Sequence, residues 1–208
     1  MVVAEPDGRV VRSEKTRWAL VAAARELFVR DGYASVSTTD IARAAKVTRN
    51  ALYYHFASKE AVFRAVYEDV EGELAQRVIP AAQAESNPGR ALEIGCEMFL
   101  DGCLEPAVAR VSILDAPAAL GYEQMREIDN RNYLHAVRSV ISAAIAAGEL
   151  IELPVDVLAS MLVGALDEAA LLIASADDPR AVRSEAGQVA QALLRGLRPA
   201  SGSRRRRV

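Results

Sequence analysis

The sequence contains few of the residues that metal sites and most catalytic sites require. Its 208 residues include two histidines and two cysteines, and neither the HExxH zinc motif nor a glycine-rich phosphate-binding motif is present. Neither His55 nor His135 stands at triad spacing from a nucleophile and a carboxylate. The sequence therefore predicts a protein that is not an enzyme, with no catalytic residue, no metal site and no cofactor.

Long hydrophobic runs are also missing. No uninterrupted apolar run reaches the ~18 residues that span a bilayer, because Asp167 and Glu168 interrupt the best candidate, residues 155–176. The N-terminus has no basic segment followed by an apolar one, so we expect no signal peptide. Cys96 and Cys103 lie seven residues apart on one predicted helix, roughly 10 Å by helical rise, which is too far for a disulfide. These features predict a cytoplasmic protein without a membrane partner.

Runs of β-branched residues between turn signals, which are typical of strands, are absent as well. Alanine and leucine dominate a chain that is 51% hydrophobic, and the apolar residues recur at helical spacing. The sequence therefore predicts an all-α protein. The expected helices are 13–31, 38–45, 49–56, 58–79, 88–104, 106–116, 121–147, 154–175 and 179–197.

Capping residues, prolines and composition suggest four regions. Residues 1–12 are expected to form a disordered arm and residues 13–57 a helix–turn–helix domain. Residues 58–198 form a larger helical body, and residues 199–208 a flexible tail that ends in four arginines, Arg204–Arg207, and a valine.

The net charge of −3 is unevenly distributed. Residues 1–66 hold 11 Lys and Arg against 7 Asp and Glu, whereas residues 67–199 hold 10 against 21. A basic end on an acidic body suggests that one end meets a polyanion. The acidic body argues against general coating of nucleic acid.

Residues 38–56 have the pattern of a helix–turn–helix, with two short capped helices and a short turn. Leu52 and Phe56 lie four residues apart and are expected to face inward. Arginine and asparagine can make bidentate contacts with base edges, and tyrosine hydroxyls can bond to phosphate oxygens. The pattern therefore indicates DNA binding, although a small helical core with surface aromatics stays an alternative. The residues turned outward are Arg49, Asn50, Tyr53 and Tyr54.

This region resembles the DNA-binding domain of the TetR (tetracycline-repressor) family. The resemblance covers residues 13–66 and is carried by Thr16-Arg17, Leu27-Phe28, Gly32-Tyr33 and the stretch STTDIARAAKVTRNALYYHFASKEAVFRAV, residues 37–66. It implies an N-terminal three-helix domain that binds an operator.

The resemblance also implies a role for individual residues. Contacts to phosphates or a base are implied for Thr38 and Thr39. The base-reading surface would consist of Thr48, Arg49, Asn50 and Ala51. Backbone contacts are implied for Tyr53, Tyr54, His55 and Lys59.

One residue departs from the pattern of the family. The turn between the two short helices usually contains glycine, and this chain has Lys46. If the residue adopts a left-handed conformation, lysine costs about 1 kcal/mol relative to glycine. A contact between its charge and a DNA phosphate would offset that cost.

For the body, the resemblance implies ligand binding and dimerisation. Candidate ligand contacts are the soft or amphipathic residues on the middle helices, and the alternative is that they only fill the core. These candidates are Met98, Phe99, Cys103, Arg110, Tyr122, Met125 and Tyr133, with Asp115 and His135 as further polar contacts.

The last two helices carry broad apolar stripes, which suit a two-fold contact of four helices. The alternative is that the stripes are buried within one subunit. The predicted interface residues are Met161, Leu162, Ala165, Leu166, Ala169, Leu172, Val189 and Leu193.

The pattern and the resemblance together predict a homodimeric transcriptional regulator that binds a pseudo-palindromic double-stranded DNA operator. We expect a repressor that an unknown small-molecule effector releases. Two alternatives stay open: an activator or architectural DNA-binding protein without a ligand, and a helical interaction protein that no longer binds DNA.

Overall fold

The computed structural model describes residues 8–200, and this part of the chain is helical and contains no strand. The predicted all-α fold is therefore confirmed. Residues 1–7 of the expected arm and the Arg204–Arg207 tail lie outside the described residues. The elements are α1 (Gly8–Asp31), α2 (Thr38–Ala44), α3 (Arg49–His55), α4 (Lys59–Gln83), α5 (Pro88–Gly102), a first π-helical segment (Val108–Asp115), α6 (Ala116–Ala119), α7 (Gly121–Asp129), a second π-helical segment (Asn130–Leu134), α8 (His135–Ala146), α9 (Val155–Ser175) and α10 (Pro179–Gly196).

Side-chain caps determine where the short helices begin. Ser37 Oγ accepts a hydrogen bond from the backbone N–H of Asp40, and the Asp40 carboxylate accepts one from the backbone N–H of Ser37, which completes a capping box. Thr48 and Ser58 each accept a hydrogen bond from a backbone N–H three residues further on. These local signals place α2, α3 and α4 within about a residue of the predicted starts.

Two helix boundaries differ from the sequence prediction. Helix α1 begins at Gly8, so residues 8–12, expected in the arm, are helical. Helix α4 continues through Pro80 to Gln83. An interior proline removes one hydrogen bond and crowds the carbonyl four residues before it, but the buried Val78 and Ala82 on either side hold the last turns of α4 in the core.

The middle of the body departs furthest from the prediction. In place of a helix that fades before Pro117, the first π-helical segment runs into α6, which contains Pro117 in its first turn. The expected long helix 121–147 is interrupted by the second π-helical segment, Asn130–Leu134. Single π-helical turns widen a helix locally and are frequent at functional sites.

One hydrophobic core cluster crosses the predicted domain boundary at residue 57. It joins buried side chains of α1, α2 and α3 to α4 and to the first π-helical segment. The helix–turn–helix domain and the adjoining part of the body therefore share one core. Such continuous packing transmits displacement because a close-packed interior has little free volume. Its members include Leu20, Phe28, Ile41, Leu52, Phe63, Val66, Val111 and Ile128.

The turn between α2 and α3 contains a left-handed residue at Lys46, the conformation considered in the sequence analysis. Lys46 has φ 56° and is the one non-glycine residue with a positive φ in the described part of the chain. Its N–H donates to Arg43 O at 3.1 Å, and its side chain is exposed. The lysine therefore carries a conformational cost, and its side chain forms no hydrogen bond or ion pair with the rest of the described residues.

We expect Lys46→Gly to raise the free energy of unfolding by up to about 1 kcal/mol, because glycine adopts φ 56° without the clash of a Cβ. The gain is reduced by the greater entropy of glycine in the unfolded chain. Urea unfolding followed by circular dichroism measures the change. Lys46→Ala is the matched control, since it removes the charge and keeps the strain; a gain in both variants would contradict the backbone explanation.

Candidate DNA-binding surface and buried acidic cluster

The reading helix α3 is held by its inward side. Leu52 is fully buried and Phe56 nearly so, and both join the core with Ile41 of α2. Arg17 of α1 stacks over the Phe56 ring, 5.2 Å from the centroid. The predicted inward pair of α3 is confirmed, and it orients the opposite face toward solvent.

Three side chains on the outward face form a connected polar row. Tyr53 OH lies 3.2 Å from Thr38 Oγ1 and accepts a hydrogen bond from Arg49 Nη2 at 3.3 Å, while the Arg49 guanidinium stacks over the Tyr53 ring. These bonds, that from Thr38 first, lower the pKa of the Tyr53 phenol. The row fixes the Arg49 side chain along the helix before any partner arrives.

The neighbouring residues extend this surface. Tyr54 is 81% exposed, and its ring packs edge-on against the half-buried His55. Thr39 and Asn50 are exposed beside the row, whereas Ala51 is half-buried and Thr48 is already used as the helix cap. Of the predicted DNA-contact residues of α2 and α3, the structure joins Thr38, Tyr53 and Arg49 in one row and pairs Tyr54 with His55.

Lys59 is the exception among these residues. Its Nζ donates to Tyr33 O at 2.9 Å and sits 4.1 Å from the centroid of the Tyr33 ring, half-buried. The ammonium thus holds the turn between α1 and α2, and a phosphate would have to compete with these contacts.

The same turn is held from the body by the first π-helical segment. Asp115 accepts a hydrogen bond from Tyr33 N at 2.7 Å and one from Arg110 Nε at 3.2 Å. Gly32 has φ +78°, and a Cβ there would lie 1.9 Å from Arg110 Nη2, so this approach requires glycine. We name Gly32, Tyr33, Lys59, Arg110 and Asp115 the junction.

The predicted ligand residues divide into two sets. Phe99 and Tyr133 form an edge-to-face ring pair, and Cys103 Sγ donates to Phe99 O. Met98 and Met125 pack against the same core cluster as Phe99.

The other predicted ligand residues lie elsewhere. Tyr122 is 73% exposed on the outer side of α7, where Arg126 stacks on its ring. Arg110 and Asp115 belong to the junction, and His135 is exposed. Side-chain type alone could not separate these positions, because α7 and α8 turn relative to one another through the second π-helical segment.

An acidic cluster centred on the buried Glu71 lies beside Tyr133, and the sequence analysis did not predict it. It consists of Glu71 on α4, Asp129 at the end of α7 and Asp167 on α9. Tyr67 OH donates to Asp129 Oδ1 at 2.9 Å, and Tyr133 OH donates to the backbone oxygen of Glu71 at 2.8 Å. The available signal was Glu71 itself, an acid on the buried stripe of α4 four residues from Tyr67.

Burial raises the pKa of each carboxyl in the cluster. The Glu71 side chain is 6% exposed, and desolvation, with the charges of Asp129 and Asp167, raises its pKa to about 7. Desolvation and the charge of Asp129 raise the pKa of Asp167 to about 6, although Asp167 is exposed in the single chain. Of the three acids only Glu71 is buried in the single chain, since Asp129 is half-buried and Asp167 is exposed.

The predicted dimer residues also separate into two faces. Met161 is 70% exposed, and Ala165, Leu172, Val189 and Leu193 are exposed with it on α9 and α10. Leu162 is buried, and Leu166 and Ala169 are partly buried and pack within the chain, so these three are not on the outer face. The helical period places these residues on different sides of the helix. The sequence of α9 does not reveal which side is buried, because the helix is apolar on most sides.

Helix α9 is long and apolar enough, by composition alone, to cross a membrane. The mean hydropathy of its most apolar window is 1.9, and only 22% of that window is buried within the single chain. Apolar surface of this extent is typical of surfaces that contact another protein.

Two short packed helices joined by a tight turn, a polar outward face on the second and a larger helical body define a helix–turn–helix DNA-binding protein. Residues 20–66 match the family model described as bacterial regulatory proteins, tetR family, and residues 90–197 match a tetracyclin repressor-like C-terminal domain. The chain belongs to the TetR family of transcriptional regulators.

Individual relatives agree with this assignment. The chain is 28% identical over 151 residues to the transposon Tn10 TetC protein of Escherichia coli, which covers 73% of this chain and 76% of that protein. A TetR-family transcriptional regulator from Pectobacterium atrosepticum superposes with a TM-score of 0.80 at 31% identity, over 91% of this chain and 97% of that one. The Bacillus subtilis regulator FadR, solved in complex with stearoyl-CoA, shares the fold with a TM-score of 0.73 at 20% identity, over 86% and 98% of the two chains.

The buried acid predicts a pH-dependent stability. Because the pKa of folded Glu71, about 7, exceeds its ordinary value of 4.5, the unfolded chain gives up the proton first, and stability falls as the pH rises from about 4.5 to 7. We expect Glu71→Gln to remove part of this fall, on the order of 1–3 kcal/mol at pH 8. Urea unfolding at pH 5, 6, 7 and 8, at one protein concentration, measures it.

The exposed Glu123→Gln on α7 is the matched control and should keep the pH dependence of the wild type. A Glu71→Gln variant that loses stability with pH as steeply as the wild type would contradict the assignment of the cost to Glu71.

Proposed function

We propose that the chain is a homodimeric, ligand-responsive repressor that acts in the cytoplasm and leaves its operator when a small molecule binds the body. The observation that carries the DNA-binding part is the preorganised row formed by Tyr53 and Arg49 on the outward face of α3 and by Thr38 at the start of α2. A solvated helix face normally carries Glu, Lys and Gln, and this face has no acid.

The proposed docking places the N-terminus of α3 in the major groove. Arg49 and Asn50 read base edges there, with Thr48 and Ala51 beside them. Thr38, Thr39, Tyr53, Tyr54 and His55 bond or pack against the sugar–phosphate backbone, and Lys46 reaches a flanking phosphate. The proposed base readers therefore lie at the start of the helix, where the backbone dipole also favours the anionic duplex.

The proposed dimer pairs the outer faces of α9 and α10 around a two-fold axis. A two-turn reading helix makes few base contacts, so two half-sites about 34 Å apart are needed for a specific complex. The exposed apolar residues Met161, Leu172, Val189 and Leu193 support this face as the interface, since they lie on adjacent helices.

The proposed coupling runs through the first π-helical segment. Its Ser112 lies beside the acidic cluster, while its Arg110 and Asp115 hold the turn before α2. A ligand that prefers one arrangement of this segment shifts the position of the reading helices by its differential affinity. The stearoyl-CoA complex of the structural relative FadR is consistent with small-molecule binding in this fold.

We expect Arg49→Ala to lose discrimination at one base position by about 1–3 kcal/mol. Tyr54→Phe should instead weaken all operators alike, by about 0.5–1.5 kcal/mol, because it removes one hydroxyl bond to the backbone. Fluorescence anisotropy against an operator library and a scrambled duplex measures both. Arg195→Ala, an equal loss of charge near the end of α10, is the control, and unchanged discrimination by Arg49→Ala would remove the base-reading role.

We expect the double variant Met161→Glu, Leu193→Glu to be monomeric, because two charges per subunit would be buried at the two-fold interface. Its operator affinity should fall by more than tenfold, since one half-site alone is bound weakly. Sedimentation velocity gives the mass. Tyr122→Glu, a similar change on the outer side of α7, should stay dimeric, and a dimeric double variant would exclude this face.

A further inference from the structure

We propose that Tyr53 is a positioning residue for base recognition, because its hydroxyl links the Arg49 guanidinium to a single DNA phosphate. Tyr53 and Thr38 then determine base preference as well as affinity. The inference rests on the proposed function, in which Arg49 reads a base edge. It gives Tyr53 a role beyond that of a backbone contact, which by itself carries no sequence information.

The Arg49 side chain is held by Tyr53. Its Nη2 donates to the Tyr53 hydroxyl oxygen at 3.3 Å, and its Cζ lies 5.4 Å from the centroid of the Tyr53 ring. Helix α3 contains no acid, and the one acid of α2, Asp40, is bonded to Arg43 and Ser37. Within these two helices, Tyr53 is therefore the side chain that sets the direction of the guanidinium.

The hydroxyl hydrogens of the row can be counted. Arginine only donates, so the Tyr53 oxygen accepts from Arg49. The hydroxyls of Tyr53 and Thr38 lie 3.2 Å apart and share a second hydrogen bond, in which either oxygen can be the donor. In both cases this bond uses one of the two hydroxyl hydrogens and leaves the other without an acceptor in the row. One hydroxyl donor is therefore free at the start of α2, where a DNA phosphate can accept it.

A phosphate bound at this donor acts on Arg49 through the row. A hydroxyl that donates to an anion, directly or through a second hydroxyl, becomes a better acceptor, so the bond from Arg49 to Tyr53 tightens. The guanidinium keeps its other N–H groups for a bidentate contact with a base edge. A side chain already held in this way loses less rotamer freedom at the base, which favours the specific complex about threefold to tenfold.

The test compares variants of the full-length chain with the wild type. Tyr53→Phe removes the hydroxyl and keeps the ring beside the guanidinium, and Tyr54→Phe makes the same change at the neighbouring exposed tyrosine. The probe is a duplex that the wild-type chain selects from a randomised pool, with its single-base variants and a scrambled duplex. Fluorescence anisotropy at one salt concentration gives the affinities, and the Tm of each variant reports its folding.

We expect Arg49→Ala to identify the base pair that Arg49 reads. At that base pair Tyr53→Phe should reduce the preference about threefold to tenfold, whereas Tyr54→Phe should weaken all duplexes alike and keep every preference. The double variant of Tyr53→Phe with Arg49→Ala should lose no more preference there than Arg49→Ala alone, because the two side chains act as a unit.

The other end of the row supplies an independent pair of variants. Thr38→Val removes the hydroxyl from a side chain of the same shape and should reduce the preference at the same base pair as Tyr53→Phe does. Thr38→Ser keeps the hydroxyl and should retain the preference of the wild type. A role of Thr38 in helix stability alone would change Tm without changing the preference.

The positioning role is overturned if Tyr53→Phe weakens all duplexes alike, as Tyr54→Phe does, while Arg49→Ala loses preference at one base pair. Additive losses in the double variant overturn it as well. In both cases base reading by Arg49 and the proposed function stand. If Arg49→Ala keeps every preference, or the wild type selects no duplex, the proposed base reading fails and the inference fails with it.

Discussion

The rest of the structure depends on the packing of three rings, Phe28 of α1, Tyr33 of the following turn and Phe63 of α4. Their centroids lie 4.8–5.8 Å apart in tilted and edge-to-face arrangements. Phe28 and Phe63 are fully buried, so they fix α1 against the first turns of α4. Lys59 and Asp115 then hold Tyr33 from two sides, and α2 and α3 follow from that turn. The orientation of the reading helix is therefore set by contacts with the body.

This arrangement explains why the two parts of the chain are not independent. Helix α4 contributes Phe63 to the ring group and, two turns further on, Glu71 to the acidic cluster. The first π-helical segment contributes Ser112 to the acidic cluster and Asp115 to the contacts that hold Tyr33. Helix α4 and the first π-helical segment both resist bending, because each passes through a packed interior. Within residues 8–200 no flexible linker separates the cluster from the junction, and this continuity is the basis of the proposed coupling.

The features that were predictable from the sequence are those with local causes. The starts of α2, α3 and α4 were predictable because each helix has a side-chain cap, at Ser37, Thr48 and Ser58. The outward face of α3 was predictable because Leu52 and Phe56 face the core. The π-helical segments have no such signal, since their wider hydrogen bonds arise from packing around them. Helix α9 is apolar on most sides, so its sequence could not show that Met161 is outside and Leu162 inside. Glu71 was recognisable only once α4 was known to be buried on that side.

The position of Glu71 poses a thermodynamic question that packing does not answer. Apolar residues of similar volume fill the same stripe of α4 at Val70 and Leu74, and a hydrophobic side chain in place of a buried acid would stabilise the fold. The negative charges of Asp129 and Asp167 increase the cost of ionising Glu71, because both raise its pKa, as burial does. A proton on the carboxyl relieves that cost, so the cost grows as the pH rises toward 7.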